Sequence, residues 1–385
     1  MEFSFTEEQL MIRDTAQSFL SEVSTSSAIR NAMESEWGFD INLWQRLCTQ
    51  MGWQATHIPE EYGGFGLGYV ELVIMLEQMG QYLFCSPFFS TVCLGANALL
   101  VAGSEAQKHN YLPQICDGSL TATLAYTGRL GSWDANAVDA IVSAKDNEYV
   151  LNGAYRYVPD GHTADVLIVA ARNADTSGKS GISLFVIDAK AKGVTREYLP
   201  TMDQTKKQAH IVLDNVVVNE QALMGEYANA WPLLDKIINL ATIATAAEQV
   251  GGSQQVLDMS VAYTKERVQF GRSIAGFQAV KHQAADMMLR TEVARSAVYY
   301  AACVAQEVFD SGLLAGELEE AASVAKSYCS DGYFKNAGDA IQLHGGVGFT
   351  WEYDVHLYFK RAKSSQVFLG NGAYHRECVA KILLD

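Results

Sequence analysis

The chain has 385 residues and a formal net charge of −16, with 49% of residues apolar and 19% charged. That length and apolar content support two or three packed units and exclude a disordered chain. The acidic balance argues against nucleic acid and against anionic membrane surfaces, although a few local cations or helix N-termini still suffice to hold a phosphate-bearing cofactor.

The seven cysteines (Cys48, Cys85, Cys93, Cys116, Cys303, Cys329, Cys378) are scattered, with no CxxC pair and no nearby His at metal spacing. Such a set reads as reduced thiols in a cytoplasmic protein, with neither a disulfide framework nor a metal site. The opening Met1-Glu2-Phe3 lacks the basic and apolar regions of a signal peptide. No stretch approaches the apolar length of a membrane span.

In chain order, the first zone is helical. Thr6-Glu7-Glu8-Gln9 is a capping-box sequence ahead of Leu10, Ile12 and Phe19. Pro59, Gly63, Gly64, Gly66 and Gly68 mark a turn-rich loop before a helix over Val70–Met79. The second zone reads as strands: Thr121–Tyr126, Ala140–Lys145, Tyr149–Tyr157, Val166–Ala171, Ile182–Ile187 and His210–Val218, with an Asp146-Asn147 turn between the second and third. In the third zone long helical periods return over Pro232–Val268, Gly276–Phe309 and Glu317–Leu343. Gly251-Gly252 inside the first of these suggests close approach of another backbone. The expected fold class is α+β, mostly α, with domains over residues 1–118 (helical), 119–222 (β) and 223–385 (helical bundle).

Several segments carry a resemblance over the whole chain. They are Phe5-Thr6-Glu7-Glu8-Gln9, Pro59-Glu60-Glu61-Tyr62-Gly63-Gly64, Glu266-Arg267-Val268-Gln269-Phe270-Gly271-Arg272, Phe277-Gln278, and Gln342-Leu343-His344-Gly345-Gly346-Val347-Gly348-Phe349. In this order and spacing they resemble the acyl-CoA dehydrogenase family, with its N-terminal helical domain, middle β-domain and C-terminal four-helix bundle. The resemblance implies FAD as cofactor, an acyl-CoA thioester as substrate and an electron-transfer flavoprotein as acceptor. It also implies that Arg267, Phe270, Gln278, Gln342, Gly345 and Gly346 grip the adenosine diphosphate half of an FAD whose flavin lies in the neighbouring subunit. The residue types suit that role: Arg267 is a forked cation for a pyrophosphate, Phe270 a flat apolar face, and the glycines allow close backbone approach.

The flavin end departs from the family pattern. Dehydrogenation needs a base for the α-proton. In most relatives this is a Glu in a Glu-Gly-Thr turn, where this chain has Leu369-Gly370-Asn371; in others it lies on the long helix, where counting back from Phe270 lands on Ala241. A flavin-contacting Thr aligns with Pro159, which offers neither hydroxyl nor N–H. The loop that covers flavin and substrate becomes Thr127-Gly128-Arg129-Leu130-Gly131-Ser132-Trp133-Asp134, keeping only Gly131, Ser132 and Asp134 in character. Among other acids, Glu248 lies two helical turns, roughly 10 Å, beyond Ala241. Glu352, Asp354 and Glu377 read more simply as solvated or structural acids.

Three readings follow. The pattern resembles the non-base subunits of bacterial heteromeric acyl-CoA dehydrogenases acting on bulky thioesters such as steroid side-chain CoA esters, with Ala246–Gly252 and Gly372–Arg376 adding to the likeness. Such a chain completes the FAD site of a paralogous partner in a heterotetramer. The second reading is a self-sufficient homotetramer with a relocated base, and the third a non-catalytic acyl-CoA-binding or scaffold subunit.

Overall fold

A computed structural model describes residues 5–129, 131–145 and 148–384. Met1-Glu2-Phe3, Leu130 and the expected Asp146-Asn147 turn lie outside the described residues.

The first zone contains α1 (Glu7–Val23), α2 (Ser26–Glu34), α3 (Ile41–Arg46), α4 (Tyr69–Gln81), α5 (Asn97–Ala102) and α6 (Glu105–Cys116). The capping box is formed: the Gln9 N–H donates to Thr6 Oγ1 at 3.2 Å and the Thr6 N–H to Gln9 Oε1 at 3.1 Å. A fully buried π-helical run, Phe89–Ala96, precedes α5 and was not legible as a separate element.

The strands are β1 (Ala122–Ala125), β2 (Ile141–Lys145), β3 (Glu148–Pro159), β4 (Val166–Asn173), β5 (Ile182–Asp188), β6 (Val194–Leu199), β7 (Gln208–Asn219) and β8 (Leu223–Met224). Their order is β6-β7-β3-β2-β4-β5-β8, and β1 pairs with β4. β1 and β2 run parallel to β4 along successive parts of it; the remaining pairings are antiparallel. This is a mixed sheet without the βαβ winding of a dinucleotide fold. The sequence pattern missed β6, whose Thr195, Arg196 and Glu197 dilute the apolar alternation of an edge strand. One face of the sheet buries Leu151, Tyr155, Leu167, Val169, Phe185, Ile211 and Leu213.

The third zone has α7 (Trp231–Glu266), a two-strand hairpin β9 (Val268–Gln269) and β10 (Arg272–Ser273), α8 (Gln278–Asp310), α9 (Leu318–His344), α10 (Val355–Val367) and α11 (Gly372–Leu384). The described residues form two compact units. One gathers the chain up to Met33, Gly68–Cys85 and everything from Thr242 on; the other holds Glu34–Leu67 and Ser86–Ala241. The helices of the first zone are thus divided, with α1 and α4 in the helical unit and α3, α5 and α6 in the unit that holds the sheet. No helix among the described residues is long and apolar enough to cross a membrane.

In the helical unit, α4 and α7 meet backbone to backbone. A Cβ on Gly251 would lie 1.7 Å from the Glu77 carbonyl oxygen, and one on Gly80 would lie 2.0 Å from that of Glu248. The approach explains why Gly251 interrupts an otherwise good helix. Alanine is the better helix former by roughly 1 kcal/mol, yet Gly251→Ala should lower stability by about 1–3 kcal/mol through overpacking. Thermal unfolding checks this, and an unchanged midpoint would mean that the two helices separate easily.

Candidate functional site

Two clusters carry the residues singled out in the sequence. The first begins where α7 ends. Arg267 lies outside the helix and not within it as its period suggested, because β9 and β10 turn the chain back on itself. Gln269 pairs with Arg272 and Val268 with Ser273, so Phe270 and Gly271 form the turn, with φ of 53° and 77°. Two successive positive φ values are the geometry of a tight hairpin, in which Asn-Gly is the favoured pair. Phe at the first position is strained and yet 91% exposed. The hairpin is braced by Ser273 Oγ donating to the Thr264 carbonyl at 2.8 Å and by the Ile274 N–H donating to that of Arg267 at 2.9 Å. Phe277 packs edge-on to Phe270 and takes the Arg272 guanidinium over its ring at 4.2 Å. Gln278 follows as the first residue of α8, exposed beside this pair.

The second cluster closes α9. Gln342 is exposed and its carbonyl accepts from the Gly345 N–H. Gly345 has φ 61° and ψ −143°, a conformation that only glycine adopts without strain. Neither Gly345 nor Gly346 has an atom within 4 Å of where a Cβ would stand, so the backbone there faces open space.

An aromatic trio that the sequence reading missed joins the two clusters. The Tyr263 and His344 rings stack at 4.4 Å, and Tyr353 stands 6.1 Å from each. Tyr263 lies one turn before Arg267, and His344 directly precedes Gly345. The stack therefore sets the end of α7 against the end of α9. The only sequence signal for it was a lone His before two glycines.

The base positions are apolar and buried. Ala241 has no exposed surface and Leu369 has 2%. Leu369 is also left-handed, with φ 57°, followed by Gly370 at 98°. For a bulky side chain that backbone costs roughly 1–2 kcal/mol. Of the other acids, Asp354 is held by Arg30 at 2.6 Å and by Ser26 at 2.8 Å. Glu377 and Glu352 are exposed, and a hydrogen bond with Thr350 holds Glu352 below the usual carboxylate range. Glu248 is the buried member of the four.

Around Leu369 the structure places a charge that no local sequence pattern announces. Lys326 of α9 is fully buried, and its Nζ lies 2.8 Å from Ser330 Oγ, 2.9 Å from the Gly370 carbonyl, 3.0 Å from that of Ser365 and 3.3 Å from that of Gln366. It caps the open carbonyl end of α10, where a cation also meets the negative end of the helix dipole. Burial pulls this ammonium down to about 7, with Cys329 and Asp331 acting the other way. His375 of α11 lies 2.8 Å from the Leu369 carbonyl through Nε2 and 3.1 Å from Ser323 Oγ through Nδ1. A carbonyl only accepts, so Nε2 carries the proton and Nδ1 accepts from the serine.

In the sheet-bearing unit, the residues kept from the covering loop serve the loop itself. Ser132 Oγ donates to Asp134 Oδ1 at 2.9 Å, and the same oxygen accepts from the Asn136 N–H at 2.8 Å. Buried Arg172 ties the loop down through the carbonyls of Ala135 and Val138 at 2.7 and 2.6 Å. Pro159 ends β3, and its carbonyl accepts from Thr123 Oγ1 at 2.7 Å. Beside it Tyr157 and Asp160 have φ of 59° and 49°, at an irregularity where β3 slips register against β7.

The three acyl-CoA dehydrogenase domain models match in order: the N-terminal domain over residues 6–119, the middle domain over 123–216 and the C-terminal domain over 231–384. Acyl-CoA dehydrogenase IpdE2 of Mycolicibacterium smegmatis is 32% identical over 95% of each chain. The chain belongs to the acyl-CoA dehydrogenase family. Its fold matches that of butyryl-CoA dehydrogenase from Megasphaera elsdenii with a TM-score of 0.91, at 26% identity over all of both chains. It also matches a chain of the ChsE4-ChsE5 complex from Mycobacterium tuberculosis with a TM-score of 0.88, at 25% identity over 100% of this chain and 99% of that one.

The neutral His375 makes stability depend on pH. Burial, helped by the Lys326 charge, lowers it from 6.5 to about 4. An unfolded chain takes up this proton more readily than the folded one. Stability is therefore fully present above pH 6.5 and is lost as the pH falls toward 4. The melting midpoint should fall across that window, and His375→Gln, which does not titrate, should flatten the fall. An equally steep fall in the variant would place the acid sensitivity elsewhere.

Proposed function

We propose that this chain is an FAD-dependent acyl-CoA dehydrogenase subunit that completes the cofactor site of a paralogous, carboxylate-bearing partner in a heterotetramer. The observation that carries the reading is the contrast between two surfaces of one chain. Both base positions are apolar and buried, at Ala241 and Leu369, whereas the Arg267 hairpin and the Gly345-Gly346 turn remain open. An almost fully exposed Phe270 on a strained backbone is a liability for an isolated chain and suits a surface covered by a ligand or partner.

Arg267 would pair with the pyrophosphate, Phe270 would cover an apolar face of the cofactor, and Gln278 and Gln342 would supply amide contacts, with Gly345 and Gly346 admitting close approach. FAD supplies the hydride acceptor of the reaction. Removal of the α-proton falls to the partner's carboxylate. The acyl groups in view are bulky thioesters, steroid side chains included, and the electrons pass on to an electron-transfer flavoprotein. The relative solved as a complex of two named chains supports the heteromeric form.

A second reading, a self-sufficient homotetramer, is favoured by one feature, the buried Glu248 on α7. The two readings separate on purification. The chain alone should reduce dye slowly with any acyl-CoA, since a positioned base is worth on the order of 10²- to 10⁴-fold. Activity should appear on co-expression with a paralogue that carries Glu at either base position. A homomer with one FAD per chain and ordinary turnover, lost in Glu248→Gln, would overturn the partner reading. In the assembled protein, Arg267→Ala should lower the flavin content per chain measured by absorbance; unchanged content would sink the assignment of the hairpin to FAD.

A further inference from the structure

The two clusters assigned to the cofactor hang from the ends of two different helices. The hairpin hangs from the last turn of α7: the Arg267 N–H donates to the Tyr263 carbonyl at 2.9 Å, and Ser273 Oγ donates to that of Thr264 at 2.8 Å. The Gly345-Gly346 turn hangs from His344, and no atom lies within 4 Å of where either glycine would carry a Cβ. An open glycine turn has much conformational entropy to lose when a ligand orders it. Both ends of this segment are nevertheless pinned, and by one group of rings. His344 before it stacks on Tyr263 at 4.4 Å with the planes 23° apart, and Tyr353 after it stands edge-on to Tyr263 at 6.1 Å. His344 Nδ1 lies 2.7 Å from the Ala340 carbonyl, which can only accept, so the imidazole is tied to α9 as well as to the stack. The ring is 5% exposed, and burial lowers its pKa, so it enters the stack neutral. Beyond Tyr353, Asp354 is held by Arg30 at 2.6 Å.

We infer that Tyr263, His344 and Tyr353 are positioning residues for the adenosine diphosphate half of FAD: their stack holds the Arg267 hairpin and the Gly345-Gly346 turn at the spacing which that half of the cofactor spans. This deepens the assignment of FAD to the two clusters and rests on it. None of the three rings needs to touch the cofactor. Arg267 alone is a cation on a short hairpin, and the glycines alone are an unrestrained turn. A ligand held at two points gains from both when their separation is fixed before it arrives. The stack fixes it, because the Tyr263 carbonyl receives the Arg267 N–H and the residue after His344 opens the turn.

The test is flavin exchange in the purified flavin-containing assembly. Each protein is incubated with FAD and FMN in known ratio until the bound flavin no longer changes, and the bound flavin is identified by chromatography after denaturation. FMN has the flavin and one phosphate but no adenosine, so the bound ratio reads the adenosine grip alone. The wild type should prefer FAD by on the order of 10²-fold or more, as expected for a charge-assisted phosphate contact and a held adenosine. In His344→Ala and Tyr263→Leu that preference should fall by on the order of tenfold, with total flavin per chain unchanged at saturating FMN. Tyr263→Phe, which keeps the ring, should retain the wild-type preference. If His344→Ala fails to fold, Tyr353→Leu, at a position that is 37% exposed, carries the test. Variants that keep the full preference, or that lose FMN and FAD alike, would overturn the inference and leave the FAD assignment standing. A wild type that takes FMN as readily as FAD would overturn the assignment of the adenosine half to these clusters, and the inference with it.

Discussion

The constraint on which the helical unit depends is the burial of α7. From Thr242 to Ser253 every residue of this helix is buried. A helix enclosed on all sides has no amphipathic stripe and must be matched by neighbours around its whole circumference. Small residues make that possible. Ala244, Ala246 and Ala247 keep the cylinder slim, and Gly251 lets the α4 backbone reach it. Gly252 does the same for the Tyr333 ring, which would lie 2.4 Å from a Cβ there. The same enclosure decides what a charge on α7 would meet. At Ala241 a carboxylate would be desolvated and in need of a partner, and in its place stands a methyl group that needs none.

Around this helix the unit holds a buried polar system that demands near-complete pairing. Asn336 donates to Ser253, Thr291 and the Met287 carbonyl, and accepts from Arg290. Gln249 reaches Ser330 and Ser365, and Ser330 in turn meets Lys326. Each member is inexpensive while paired and would cost about 1–3 kcal/mol if left alone. For Lys326 two effects oppose one another. Desolvation favours losing the proton, whereas three main-chain carbonyls and the end of α10 favour keeping it. The carbonyls lie within hydrogen-bond distance, so the lysine has a purpose there in either protonation state: it ends one helix and starts the turn that leads to the next.

How much of this was legible in the sequence follows the range of each interaction. Short-range chemistry was readable: the capping box at Thr6, the strands β1 to β5 and β7, and the three long helices all announce themselves within a dozen residues. The burial of Ala241 and Leu369, the residues that the family resemblance sets at the base positions, was in keeping with their apolar side chains. What escaped was set by contacts between distant segments. Tyr263, His344 and Tyr353 form one aromatic cluster, and no local pattern says that they touch. Lys326 carried no sequence signal, because burial of a lysine is visible only once the end of α10 is placed against α9. Arg267 was assigned to a helix because its period continued past the end, and only the left-handed Phe270-Gly271 turn shows that the chain reverses there.

Exposure and strain, taken together, separate the two parts of the candidate site. At Phe270 the backbone is left-handed and the side chain, apart from its edge contact with Phe277, lies in water, so little among the described residues offsets the strain. At Leu369 the backbone is also left-handed, but the side chain is buried and both neighbouring carbonyls are clamped. The first arrangement needs something outside the chain to justify it, and the second is justified from within. A surface of the first kind is completed by assembly, whereas a turn of the second kind is rigid before any ligand arrives. A subunit that lends a cofactor grip to its neighbour while keeping an ordered, carboxylate-free turn of its own would combine these two properties.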